Sequence, residues 1–240
     1  MFGKDKDKAV VPAQGALEQA KAGSGDQGFI GSKSMEMVEK LLDVGIDGKG
    51  PFDSANEVAT AALRKHPRAD DAVDAIVKSH LKLAMASGFV TSLGGFITMP
   101  VALPANVTGF YLLATRMVAA VAKVRGYDLS QPQIRSAVLL TLVGADADDL
   151  LAKAGVVVPA GRLTALAAER LPGPALMVVN KAIGFRILSS TGKSIFSRFG
   201  RNVPIVGGAV GAGLDGWILH KIADNARREF VPAAGQITAG

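Results

Sequence analysis

The apolar positions of this chain recur at intervals of three and four residues, the spacing that gathers them on one face of a helix. Met37, Val38, Leu41 and Leu42 predict a helix opened by Ser32 or Ser34 and running through Val44. Gly45, Gly48, Gly50 and Pro51 then break the pattern. Ser54 followed by Glu57 matches a capping box, in which each side chain satisfies a backbone N–H of the other. It predicts a helix to about Lys65, stopped by Pro67. The next helix begins near Ala69 and turns Val73, Ile76, Val77 and His80 toward an apolar partner.

That partner is the stretch 83–124, around which the rest of the chain is organised. No charged residue occurs between Leu83 and Thr115, and Arg116 is the first. Pro100 and Pro104 bracket Val101, Ala102 and Leu103. Proline lacks the donor N–H and clashes with the preceding turn, so the reading is two apolar helices joined by a proline-bounded turn. Gly126 ends the second arm in a left-handed conformation. Ser130 and Gln133, with Pro132 in the first turn, predict a second capping box and a helix from Gln131 to about Val143. Helices are further predicted at 162–170, 174–190 and from Pro204 to about Phe230, the last with two pairs of small residues at four-residue spacing, Gly207 with Gly211 and Ala209 with Gly213. Alternating strand patterns do not persist anywhere.

The fold class predicted is therefore all-α: a single multi-helix bundle around a central apolar helical hairpin at about 83–124. Residues 1–31 and 231–240 carry few large apolar groups and are predicted to be a flexible arm and tail, leaving 32–230 as the helical domain. Half the chain is hydrophobic, 49%, while aromatics make up 5%, which suits closely packed helices with small residues at their contacts. Cysteine is absent, which removes disulfides, thiolate metal sites and a cysteine nucleophile together. The net charge of +6 is concentrated late in the chain. Residues 151–240 hold eleven Lys and Arg against the four acids Glu169, Asp215, Asp224 and Glu229. A basic portion of this kind can meet nucleic acid, an anionic membrane or an acidic partner. The first residues lack the apolar run of a secretory signal, so a cytoplasmic location is expected.

Three blocks resemble the EcsC protein family. The first, residues 87–129, is a glycine-rich apolar segment, then a proline, then a helix ending in the turn Gly126, Tyr127, Asp128. The second is the following helix through Leu142. The third, VPIVGGAVGAGLDGWILHKIADNARREF, shows a proline, a glycine-spaced helix, a polar residue and a basic-aromatic end. Asp215 stands where the family often has Asn. The resemblance covers roughly residues 60–230. It implies a helical, membrane-associated protein of the kind encoded beside a transporter operon linked to protein export, and it supplies no catalytic residues.

Candidate chemistry is sparse. His66, His80 and His220 are the only histidines, and no G-x-S-x-G or Walker-type phosphate loop occurs. Asp146, Asp148 and Asp149 form the densest acidic cluster. The plain reading is a solvated turn whose acids favour a helix start; the chemical alternative is a weak hard-cation site, and with His80 a metal-dependent hydrolase. Arg116 and Asp215 are isolated charges in apolar helices, and a buried pair between them would satisfy both. A basic run, Lys181, Arg186, Lys193, Arg198 and Arg201, is interleaved with Phe185, Ile187, Leu188, Ile195, Phe196 and Phe199. It reads equally as an amphipathic helix with its charges in water or as one lying on anionic lipid. No Tyr or Trp joins it, so nucleic acid is not the expected partner.

The function expected is a non-enzymatic accessory or scaffold, peripheral to the inner face of the membrane, with hairpin insertion left open. Its partner would be anionic lipid or a membrane protein complex, and no cofactor is implied. The alternatives are a soluble helical module holding an apolar or lipid ligand, and the hydrolase.

Overall fold

The computed structural model describes residues 26–50, 52–93, 99–144, 147, 151, 173–193 and 206–233, and for the helix ends 26–31, 87–93, 99–107, 173–175, 189–193, 206–212 and 214 the backbone path alone. Among these residues the chain is all-helical. Seven α-helices run α1 Asp26–Lys40, α2 Ala55–Lys65, α3 Ala69–Leu93, α4 Met99–Val124, α5 Pro132–Val143, α6 Gly173–Lys193 and α7 Val206–Glu229. A π-helical turn, Leu41–Ile46, extends α1. The helix predicted at 162–170 lies outside the described residues.

The hub is α4. It touches α2, α3, α5, α7 and the π-helical turn. Met117, Val118, Ala119, Ala120, Val121 and Ala122 are all fully buried, so no face of this segment meets water. A helix apolar all round belongs in the middle of a bundle, and the alanines let its neighbours approach. The next helix, α5, is similar: Ile134 and the run from Ser136 to Leu142 are buried. Its hydroxyls are satisfied in place. Thr141 Oγ1 donates to the Ala137 carbonyl at 2.8 Å, and Ser136 Oγ donates to Asn180 Oδ1 on α6 at 3.0 Å.

The long helices are antiparallel. Along α3 and α7, Arg227 Nη2 meets Asp74 Oδ1 at 2.6 Å. Eleven residues on in α3 and eleven back in α7, a Cβ added to Gly216 would lie 3.0 Å from Met85 Cγ. Along α3 and α4, Arg125 Nη2 meets Asp70 Oδ1 at 2.7 Å, and His80 lies close enough to Arg116 to feel its charge. The end of the bundle near residues 70 and 125 is closed by α7: the Phe230 ring meets Tyr127 edge-on at 5.3 Å, and the Ala233 N–H donates to the Arg125 carbonyl at 2.9 Å.

Local signals were followed at several junctions. Ser54 and Glu57 form the predicted capping box. Gly126 takes φ +89, as a left-handed helix stop requires.

Elsewhere the structure corrects the sequence reading. Both prolines lie inside α4 and not in a turn before it. Pro100 occupies the first turn, where no intrahelical N–H is needed, and Pro104 removes one bond one turn further in. Ser130 does not cap α5; Gln131 is its N-cap without a side-chain bond, and the Asp128 carboxylate accepts from Ser130 N–H and Oγ–H instead. Helix α1 starts at Asp26, inside the expected arm, and Ser34 is a buried mid-helix residue. The reason is tertiary: α1 lies on α6, with Ser34 and Val38 against Gly184. In the expected C-terminal tail, Val231 to Ala233 are fastened by the bond to Arg125.

Candidate functional site

Three ionisable groups set into the apolar bundle, His80, Arg116 and Asp215, lie on α3, α4 and α7. His80 falls on the buried stripe of α3 with Val73, Ile76, Val77 and Ala84, and is 3% exposed. Its Nδ1 lies 2.8 Å from the Ile76 carbonyl, which can only accept, so Nδ1 carries the proton. Nε2 is then a buried acceptor with no partner. Burial, with the nearby Arg116 charge adding to it, pushes the imidazole down to about 4 against the backbone bond to Ile76. His80 is thus neutral at ordinary pH and sealed from solvent, a poor position for a general acid or base.

Arg116 is half-buried on the outer stripe of α4 that also holds Gly109 and Lys123. Its guanidinium carbon stands 5.5 Å over the Phe52 ring, and its Nε is buried without a hydrogen bond. Burial lowers its pKa, and the charge of Asp53 opposes that. The loop before α2 therefore supplies what an ion-pair partner would: an aromatic face and a distant carboxylate.

Asp215 lies on the core-facing stripe of α7, in phase with Leu219, Ile222 and Ala226. Burial alone pushes its carboxyl up to about 6. No ion pair joins it to Arg116. The sequence marked both residues as isolated charges but could not show that they occupy differently facing stripes of their helices.

The basic run is only partly described. Lys181 and Arg186 are half-buried on α6, Lys193 ends that helix, and Arg198 and Arg201 lie outside the described residues. Met177 and Leu188, at 60% and 38% exposure, lie on α6 close in phase to Lys181 and to Gly184, and so flank the contact with α1. The acids Asp146, Asp148 and Asp149 also lie outside the described residues. Among the described residues no group of three His, Asp or Glu is placed to hold a metal ion.

What sequence reasoning missed is a set of large apolar side chains facing water: Leu83, Met85 and Trp217, at 50%, 48% and 60% exposure. Lys221 Nζ sits 6.0 Å from the Trp217 ring. One signal was present: Trp217 is the chain's single tryptophan, and it has a lysine four residues on, one helical turn away. Among the described residues no helix is long and apolar enough to cross a membrane. No family model, no curated protein and no solved structure matches this chain.

Proposed function

We propose that this protein is a non-enzymatic helical accessory or scaffold that docks peripherally on an anionic membrane surface. The observation that carries the reading is on α6, where Met177 and Leu188 face water on either side of the α1 contact at Gly184, with the half-buried Lys181 between them in sequence. Large apolar groups left in water at a protein surface mark contact sites. Cations among them suit the phosphates of a lipid surface, with the apolar groups entering between headgroups. The basic residues that follow in sequence, Lys193, Arg198 and Arg201, extend the same chemistry. The resemblance to the EcsC family points the same way and suggests work beside transport or export machinery. The sealed position of His80 speaks against the hydrolase reading.

The test is co-sedimentation with phosphatidylcholine vesicles with and without phosphatidylglycerol, across a range of salt. Binding should require the anionic lipid and weaken steeply as salt screens it. Lys193→Glu with Arg198→Glu should reduce it while the far-ultraviolet circular dichroism stays unchanged. No binding to either vesicle would overturn the reading.

A further inference from the structure

Antiparallel packing brings three uncharged stretches to one end of the bundle. Residues 83–93 finish α3, 99–115 begin α4, and 206–214 begin α7; none includes a charged side chain. Because α3 runs against both neighbours, these stretches lie side by side. The opposite end holds the Asp70–Arg125 and Asp74–Arg227 ion pairs and the Tyr127–Phe230 closure.

Below the uncharged end stands a collar of cations. Lys78 and Lys82 lie on α3, and Arg116 of α4 is level with His80 between them. Lys221, five residues on from Gly216, falls at the same level on α7. Three helices thus place four cations within about one helical turn, roughly 6 Å along the axis. The nearest acid on the outer face of α7, Asp224, faces His220 and Arg227 at 3.6 Å each.

At the boundary the described apolar side chains meet water. Leu83 continues the stripe of the buried Ala72 and Ile76, eleven and seven residues back, yet it is half exposed. Met85 and Trp217 flank the α3–α7 seam, with Lys82 and Lys221 beside them. A tryptophan with a neighbouring lysine is suited to an interface that is apolar on one side and wet on the other.

We propose that this end of the bundle dips into one leaflet of an anionic membrane, with Trp217 at the interface and Lys78, Lys82 and Lys221 on the headgroup phosphates. The dimensions agree. The eleven residues 83–93 rise about 16 Å as a helix, and one leaflet offers about 15 Å of hydrocarbon, half of the whole core. The three stretches bring no charge of their own; Asp215, level with residue 86 in the same register, lies on the core-facing stripe of α7, and the collar stops the end at the phosphates. This inference rests on the membrane reading above and names the inserting face.

Trp217, the single tryptophan, reports on it directly in the full-length protein. On adding phosphatidylcholine–phosphatidylglycerol vesicles its emission should move to shorter wavelength, and lipids brominated near the top of the acyl chain should quench it. Trp217→Phe with Leu83→Trp should respond in the same way, since position 83 sits at the same boundary. Lys82→Gln and Lys221→Gln should each weaken binding roughly fivefold, about 1 kcal/mol per surface cation. These positions face water, so circular dichroism should be unchanged. Vesicle binding with both tryptophan reporters unshifted and unquenched would overturn the inserted end and leave peripheral docking standing. Absence of binding to any vesicle would overturn both.

Discussion

Asp215→Asn should turn a pH-insensitive stability into an acid-labile one. Two groups, the buried His80 and the half-buried Asp215, titrate between pH 4 and 6.5 with opposite signs. His80 has its folded pKa depressed to about 4 from the usual 6.5, so in that interval the unfolded chain binds the extra proton and stability falls as pH drops. Asp215 has its folded pKa raised to about 6 from 3.8, so between those values the folded chain binds the extra proton and stability rises as pH drops. Each slope is about 1.4 kcal/mol per pH unit, and in the wild type they cancel from about pH 4.5 to 6. Asparagine at 215 removes one of them. The variant should then lose about 2 kcal/mol over that interval, read from urea unfolding at half-unit pH steps by Trp217 fluorescence and circular dichroism. Asp47 and Glu57, held low by Arg135 and by the Ser54 cap, lose their contributions only as pH falls through their folded values. They lie below this window. A variant whose curve stays parallel to the wild type would refute the raised pKa of Asp215 and the burial argued for it.

Two further outcomes follow from the packing. Gly184→Ala should destabilise the fold by about 1–3 kcal/mol in urea, because the new Cβ would overlap the Ser34 backbone carbonyl, which cannot rotate away; an unchanged midpoint would show that α1 and α6 separate without loss. Arg116→Met and Asp215→Leu should add in the double mutant to within about 0.5 kcal/mol, as unpaired sites do, whereas partial recovery would reinstate an ion pair between them.

The predictable parts of this protein were those governed by short-range chemistry. A helical period with no strand pattern sets the class. Ser54 with Glu57, Pro67 and Gly126 set local stops and starts, because capping bonds and backbone sterics act within four residues. The uncharged run from Leu83 marked the hub, since a helix without charge can be stable only when covered.

Tertiary contacts decided the rest. Pro104 within α4 and the helical residues from Asp26 depart from the local reading, and α1 is held on α6 where Ser34 and Val38 meet Gly184. Ser130 lost its cap to the neighbouring Asp128, a competition that a motif does not reveal. The facing of Arg116 toward Phe52, and of Asp215 along the core stripe of α7, depends on helix rotation that no spacing within one helix fixes. The sequence shows separately that 83–93, 99–115 and 206–214 lack charge, and that Lys78, Lys82, Arg116 and Lys221 flank them. Whether these become one apolar end with one cationic collar depends on the antiparallel register set by Asp74 with Arg227 and Asp70 with Arg125, contacts between residues far apart in the chain.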